Sequence, residues 1–465
     1  MASYLIDEYR QRFADFSAEL NREEFLYLSG RKSEFEKNRI YSDHSDLFTL
    51  SKVDELRAAL NDVDSYRETE RTAFQLLIQI ALDGFLKFQI RDVSDEIHSY
   101  ESRATIKWKE ETIGFRKALS ELSKTSDTKD RHDLYARLSE VIKGTQDLRA
   151  ERLEKLHEAA KQAGYESYLA LFQETRGIDY GQLAASLTSI LFSTESQYVS
   201  ALAPLLAADA NISLDEATNA DLSYLLNITK YDEHFPLESL HKAYAETLAG
   251  LGVRTQNQAN IEIISLDQNS RRRAFHSLIR VPDEIKLCIR QTGGRSGYQT
   301  FLHEAGHTQF YAWTSRNLYP EFRYGGDYAA KEGFAFLFGY LIHDANWLQD
   351  FLGFAASAEF LYKTAVHKLL LLRRYIAKLN YEVEVHAGKL SGVGERYSEL
   401  MTEAVRMRYG ATEHLRDLSD DFFSGDCLRA WAFEAQLREF LKEKYGNRWW
   451  TSRKAGELLI DVWNT

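Results

Sequence analysis

Proline is scarce in this chain, and its scarcity says the most about architecture. The prolines are Pro204, Pro236, Pro282 and Pro320, and none lies in the first two hundred of the 465 residues. Proline breaks helices because it lacks a backbone N–H and its ring clashes with the preceding turn. A long proline-free stretch whose apolar residues recur at helical spacing therefore predicts an array of helices.

Cysteines and long apolar runs are scarce as well. Cys288 and Cys427 are too few for a disulfide framework, and we expect both to stay reduced in a cytoplasm. The longest apolar run, Phe334 to Ile342, has the length of a buried helix and falls short of a membrane span. The N-terminus carries charges where a signal peptide has an apolar core. We therefore expect a cytoplasmic protein without a membrane partner.

The chain has fewer basic than acidic residues. The chain has 58 Lys and Arg against 70 Asp and Glu, which gives a net charge of −12. Nucleic acids and anionic membranes both attract a positive surface. The longest basic run that we find, residues 271–273, is interpreted as a solvated turn. We therefore expect neither nucleic acid nor a membrane surface as the main partner.

Helical periodicity dominates the first two hundred residues. One predicted helix face carries Phe74, Leu77, Ile78, Ala81, Leu82 and Phe85. The charged stretch 99–132 predicts a long solvent-facing helix with a turn near residues 123–126. Ser213 and Glu216 form a capping-box pattern that predicts a helix start. The polar stretch 207–223 is a candidate hinge between lobes.

A short β region precedes the next motif. Residues 260–264 and 275–281 have strand composition, and residues 285–290 alternate apolar and polar side chains. We expect a small sheet that the segment 293–298 joins to a helix. An exposed edge of this sheet can take up an extended peptide as an added strand. The alternative is a structural hairpin without a binding role.

The chemistry lies in the segment His303-Glu304-Ala305-Gly306-His307. Residues four apart share one helix face, so His303 and His307 can direct two imidazoles to one point. This spacing suits Zn²⁺, and Glu304 can reach a water molecule on the open side of the ion. Glu332, in a second apolar helix, is the obvious third ligand. The sequence predicts one zinc ion per chain, with Glu304 as the general base.

Three stretches resemble zinc metallopeptidases of the gluzincin type. They are Ile285-Lys-Leu-Cys288, the His-Glu-Ala-Gly-His segment, and a glutamate twenty-five residues beyond the second histidine. The pattern resembles the thimet oligopeptidase/oligoendopeptidase F family and, more distantly, angiotensin-converting enzyme. Residues 273–276, 281–285 and 293–294 are similar to bacterial members of this group. The resemblance is sharp over residues 270–345 and fainter over 355–440.

Together with the helical periodicity, the resemblance implies a mainly α fold. We expect a two-lobed helical clamshell with a small β-sheet next to the active-site helix. Residues 1–205 would form a helical N-terminal lobe or lid, and residues 206–465 the catalytic lobe, as one continuous peptidase unit. The expected activity is hydrolysis of peptide bonds in short oligopeptides. Substrate would pair along residues 272–276, with Arg272 and Ala274 among its contacts.

The resemblance also exposes a departure from the family. These peptidases place tyrosines in a late segment, where their hydroxyls donate to the developing oxyanion. Here Cys427 and Ala430 stand at those positions. Other tyrosines are candidates for this donor, although each is also explained by packing: Tyr298, Tyr324, Tyr328 and Tyr340.

Two alternatives stay open from the sequence. One is a carboxypeptidase or dipeptidyl-carboxypeptidase of the same fold, which needs a cation to hold the substrate carboxylate. Arg290, Arg374 and Arg429 are the candidates for that anchor. The other is a zinc-binding scaffold with weak or no catalysis, and Cys427 at a tyrosine position is its only support.

Overall fold

A computed structural model describes residues 2–267 and 269–464 of the chain. Within these residues the chain forms twenty α-helices and two small sheets of two and three strands. The predicted mainly α fold is confirmed. No single helix in this part of the chain has both the length and the apolar character of a membrane span. One bent pair of helices, Glu68–Gln89 with Arg91–Arg103, meets that criterion only when the two are taken together.

The helices of the first half include all those predicted from apolar periodicity. They are α1 (Ala2–Leu28), α2 (Lys37–Asp43), α3 (Leu50–Asn61), α4 (Glu68–Gln89), α5 (Arg91–Arg103), α6 (Phe115–Leu122), α7 (Thr128–Lys143), α8 (Gln146–Gln162), α9 (Tyr168–Arg176), α10 (Tyr180–Ala210), α11 (Asn219–Leu226) and α12 (Leu237–Gly250).

The remaining helices follow the second sheet. They are α13 (Arg295–Ala312), α14 (Pro320–Tyr324), α15 (Tyr328–Gly339), α16 (Ala345–Leu352), α17 (Ala358–His386), α18 (Val393–Val405), α19 (Phe423–Tyr445) and α20 (Arg453–Trp463). The short 3₁₀ segments are Ser45–Phe48, Thr229–His234, Thr255–Asn257, Leu341–His343, Ala411–Glu413 and Trp449–Thr451. The strands are β1 (Thr105–Trp108), β2 (Glu111–Gly114), β3 (Ile261–Leu266), β4 (Ala274–Arg280) and β5 (Glu284–Arg290).

The chain divides into two compact units, each assembled from separate segments. Unit 1 consists of Met1–Phe85, Thr229–Ala358 and Arg429–Thr465, and unit 2 of Leu86–Ile228 and Glu359–Leu428. These units do not divide the chain at residues 205 and 206, where we expected a boundary; that position lies inside α10.

The candidate hinge at 207–223 lies within unit 2. Ile212 and Ala217 of this stretch are buried in the apolar core that α10, α17 and α18 share. Glu216 does bond to the backbone N–H of Ser213 at 3.0 Å, but it closes a turn and opens no helix. The capping box that begins α11 is formed instead by Thr218 and Asp221.

Residues 99–132 are not one long helix, so that prediction was wrong. Helix α5 ends at Arg103, and β1 and β2 then form an antiparallel hairpin in which Ile106 lies opposite Ile113. Both isoleucines are buried against Phe115 and the apolar faces of α6 and α7. The abundant charges concealed this short pattern of alternating apolar and polar residues. Because one side of the hairpin is buried, the segment forms strands.

The predicted small sheet lies in unit 1 and has the order β3-β5-β4. Strand β5 is central, with β3 parallel and β4 antiparallel to it. We expected only one face of β5 to be buried, but Cys288 on the other face is also buried, in a cluster with Phe25 of α1. Helix α13 packs against β4 and β5 on one side and against α15 on the other. The sheet thus lies next to the helix with the His-Glu-x-x-His segment, as predicted.

Candidate metal centre

Helices α13 and α15 approach each other closely at two glycines. A Cβ atom at Gly306 would lie 2.8 Å from the Cα of Ala335 and 3.0 Å from the carbonyl oxygen of Phe334. A Cβ atom at Gly339 would lie 3.1 Å from the Cβ of His303. Because neither glycine has a side chain, the two backbones can lie near enough for groups on α13 and α15 to converge.

The three predicted metal ligands converge between these helices. The Nε2 atom of His303 is 3.4 Å from Glu332 Oε2, and the Nε2 atom of His307 is 3.3 Å from Glu332 Oε1. The ligand atoms of the three residues all lie within 4.8 Å of one another. Two ligands bound at 2.0–2.1 Å to a tetrahedral zinc ion are about 3.3–3.4 Å apart. The distance from each histidine to the Glu332 carboxylate therefore fits a zinc ion.

The charge state of this cluster also suits a metal. Burial lowers the pKa of His307 to about 4, and the neighbouring His276 adds to that shift. The imidazole is thus neutral at neutral pH, which is the form that binds metals. Burial alone would raise the pKa of Glu332, but its bonds to His303 and His307 outweigh this and hold the pKa well below its usual range. The cluster offers the neutral imidazole of His307, a second imidazole from His303 and a carboxylate.

Glu304 lies beside the cluster and has a partner that the sequence did not reveal. His276 Nδ1 is 2.7 Å from Glu304 Oε2. Burial would raise the pKa of Glu304, but the hydrogen bond from His276 and the electrostatic attraction between that residue and the carboxylate hold it at about 2. The carboxylate is therefore ionised at neutral pH and can accept a proton. The sequence placed His276 on a candidate substrate strand, and no local spacing linked it to Glu304.

Two of the candidate tyrosines have hydroxyls that are engaged elsewhere. The hydroxyl of Tyr298, a fully buried side chain, donates to the carbonyl of Pro236 at 2.6 Å. The hydroxyl of Tyr324 accepts from the backbone N–H of Val281 at 3.3 Å and lies 3.4 Å from the carbonyl oxygen of Ile279. Both hold unit 1 together and do not belong to the metal cluster.

The other two candidate tyrosines lie on or beside α15. Tyr328 is exposed and begins α15, one helical turn before Glu332. Tyr340 stacks on Phe336 with ring centroids 5.2 Å apart, and Phe336 in turn packs 5.0 Å from the His303 ring. Both stay candidates for an oxyanion donor.

The late segment does not supply a donor at Ala430. Ala430 is fully buried, and its carbonyl oxygen lies 3.2 Å from where a Cβ atom on Gly333 of α15 would stand. Cys427 is likewise buried.

The three arginines considered as carboxylate anchors all have other partners. Arg290 bonds to the backbone carbonyl of Ser270 at 2.8 Å. Arg374, in unit 2, pairs with Asp417 at 2.6 Å. Arg429 pairs with Asp327, whose side chain caps the N-terminus of α15. Arg429 therefore stabilises the start of α15, the helix that contains Glu332. This structural role accounts for Arg429 without a contact to substrate.

The predicted substrate strand is the edge strand β4. Arg272 is exposed and precedes it, and Ala274 is its first residue, paired with Ile289 of β5. The backbone N–H of Arg290 donates to the carbonyl of Arg273. Because hydrogen bonding alternates along an antiparallel pair, the backbone groups of Ala274 and His276 point away from β5. They lie on the side where an added strand would bind.

Comparison of the chain with known protein families finds no matching family, and comparison with curated proteins finds no match. The likeness to gluzincins rests on the residues quoted above.

Proposed function

We propose that this chain is a zinc-dependent metallopeptidase that hydrolyses peptide bonds in short peptides. The observation that carries the proposal is the juxtaposition of two groups of side chains. His303, His307 and Glu332 present one ligand atom each within 4.8 Å of the others, with both histidines 3.3–3.4 Å from the carboxylate. Glu304, the residue after the first histidine, presents an ionised carboxylate beside them. This donor set leaves a fourth position for water or substrate, as catalytic zinc sites require.

Each residue has a separate task in the proposed reaction. A zinc ion held by His303, His307 and Glu332 would polarise the scissile carbonyl and make water a better nucleophile. Glu304 takes a proton from the attacking water and then gives it to the departing amine. For this task its pKa of about 2 in the free protein ensures that the carboxylate starts ionised. Tyr328 and Tyr340 are the proposed donors to the developing oxyanion.

The edge of β4 is the proposed binding surface for the substrate backbone. Ala274 and His276 direct their N–H and C=O groups outward, and an extended peptide can pair with such an edge. The backbone groups of Leu278, two residues after His276, also point away from β5. Its carbonyl accepts a hydrogen bond of 2.8 Å from the side chain of Asn21 on α1. At the other end, the backbone N–H of Arg271 donates to the carbonyl of Leu28, the last residue of α1. We place the substrate between these two contacts, along residues 274–276.

Metal removal and product mapping test this proposal. We expect a chelator to abolish hydrolysis of a fluorogenic peptide and about one equivalent of zinc per chain to restore it. A C-terminally amidated peptide and the same peptide with a free C-terminal carboxylate are then digested, and the products are identified by mass spectrometry. Cleavage of both at the same internal bond indicates an endopeptidase, whereas cleavage of the free acid alone indicates a carboxypeptidase. A zinc-loaded protein that cleaves neither peptide would contradict the proposal and favour the scaffold alternative.

A further inference from the structure

We infer that His276 is a positioning residue for the general base Glu304, an inference that rests on the proposed peptidase function. The distance of 2.7 Å between His276 Nδ1 and Glu304 Oε2 is that of a charge-assisted hydrogen bond. The imidazole N–H donates and the carboxylate oxygen accepts. The bond therefore occupies Oε2 and leaves Oε1 as the oxygen that accepts a proton from water.

The His276 ring is itself held on two sides, as a positioning group must be. Its centroid lies 4.6 Å from the ring of His307, tilted by 34°, and 6.1 Å from the ring of Tyr311, nearly parallel to it. The backbone of His276 is paired in register with Leu287 of the central strand β5. A glutamate side chain has three rotatable bonds, so a rigid donor on the sheet restricts the carboxylate to one orientation.

The geometry separates this role from that of a fourth metal ligand. The three side chains whose donor atoms lie within 4.8 Å of one another are His303, His307 and Glu332, and among the described residues His276 does not join that group. Its Nδ1 atom is instead committed to Glu304. His276 acts on the reaction through Glu304 and has no direct part in metal binding.

Two substitutions separate the hydrogen bond from the bulk of the ring. In His276→Asn the amide nitrogen can stand where Nδ1 stood and donate to Glu304, whereas His276→Leu fills the space without a donor. We expect the leucine variant to lose about 10–100-fold in kcat, the usual scale for a residue that orients a metal-site group. Its KM should change less than about threefold, and the asparagine variant should regain most of the rate.

Zinc content and inhibitor binding give readouts that do not depend on turnover. Both variants should keep one zinc per chain. A peptide hydroxamate, which chelates zinc and donates a hydrogen bond to the adjacent carboxylate, should bind about tenfold more weakly to His276→Leu and nearly normally to His276→Asn. The exposed His98, which contacts Arg116, provides the matched control, and His98→Leu should behave as wild type in every assay.

Each contrary result has a distinct meaning. Unchanged kcat in His276→Leu, with an active wild type, would overturn the positioning role alone. Loss of zinc in that variant would make His276 part of the metal site. An asparagine variant as slow as the leucine variant would rule out the hydrogen bond as the cause. A zinc-loaded wild type that cleaves no peptide would overturn the proposed function and this inference together.

Discussion

At the scale of single residues, Glu332 does two things at the proposed metal site. Its two carboxylate oxygens face different histidines, at 3.4 Å from His303 and 3.3 Å from His307. It would therefore supply the anionic ligand of a bound zinc ion, and its two oxygens also orient both imidazoles. A carboxylate in this position satisfies the preference of catalytic zinc for three protein ligands and one open position.

Glu332→Ala should consequently lose zinc. We expect metal analysis after dialysis to find close to one zinc per wild-type chain and well under a tenth of that in the variant, because two imidazoles alone bind zinc weakly. Glu457→Ala, which removes an exposed glutamate paired with Arg453, should keep full occupancy. Equal zinc content in wild type and Glu332→Ala would mean that the third ligand lies elsewhere.

Local spacing in the sequence revealed the two histidines and Glu304, and the second apolar helix pointed to Glu332, but His276 was missed. His303, Glu304 and His307 lie within about one helical turn of each other, so helix geometry alone predicts that their side chains are close. The Glu304–His276 bond joins residues 28 apart in the chain and depends on how β4 packs against α13. No periodicity encodes that packing. For the same reason the sequence could not foresee that the Tyr298 and Tyr324 hydroxyls are bound to backbone groups.

At the scale of elements, the close approach of α13 to α15 determines whether the three ligands meet. Gly306 lies inside the His-Glu-x-x-His segment, and a Cβ atom there would lie only 2.8 Å from the Cα of Ala335 on α15. The residue that lets α15 approach α13 therefore lies between the two histidines of the segment. This arrangement couples helix packing to metal geometry, since any separation of the helices also moves Glu332 away from α13.

Gly306→Ala should therefore weaken metal binding as well as the fold. Its Cβ would meet the Ala335 backbone at 2.8 Å, and overpacking of this kind costs about 1–3 kcal/mol. We expect a lower Tm and a zinc dissociation constant raised at least about tenfold. Gly410→Ala is the matched control, because a Cβ atom there meets nothing within 4 Å. A Gly306→Ala protein with unchanged Tm and zinc affinity would contradict the packing account.

Helices and strands were predictable from the sequence where their apolar residues repeat over many positions. Phe74, Leu77 and Leu82 recur at helical spacing, and all three are buried on α4. The β1–β2 hairpin escaped prediction because four-residue strands give only two buried positions, Ile106 and Ile113, among many charges. Ser213 and Glu216 show a further limit, since their bond forms as expected but closes a turn.

At the scale of the whole molecule, each compact unit is assembled from segments far apart in the chain. Unit 1 contains the three-stranded sheet, helices α13 and α15, and most of α19. Unit 2 contains α10, α11, α18 and all but the first residue of α17. A sequence pattern shows which face of a helix is apolar but not which distant segment covers it. The expected division at residue 205 followed a change in composition, and the clamshell shape and cytoplasmic location stay predictions.

Unit 1 alone holds every residue of the proposed site. His303, Glu304, His307 and Glu332 all fall in its segment Thr229–Ala358, together with His276. The account therefore makes a single claim about function: this cluster binds zinc, and Glu304 performs the proton transfer of peptide hydrolysis.

The most direct test of that claim is the turnover of zinc-loaded Glu304→Gln on a fluorogenic peptide, beside zinc-loaded wild type. The amide keeps the shape of the carboxylate but cannot accept the proton of water. The account predicts a loss of at least about 10³-fold in kcat/KM, on the scale of general-base catalysis, with one zinc per chain and an unchanged Tm. Turnover comparable to that of wild type would contradict it.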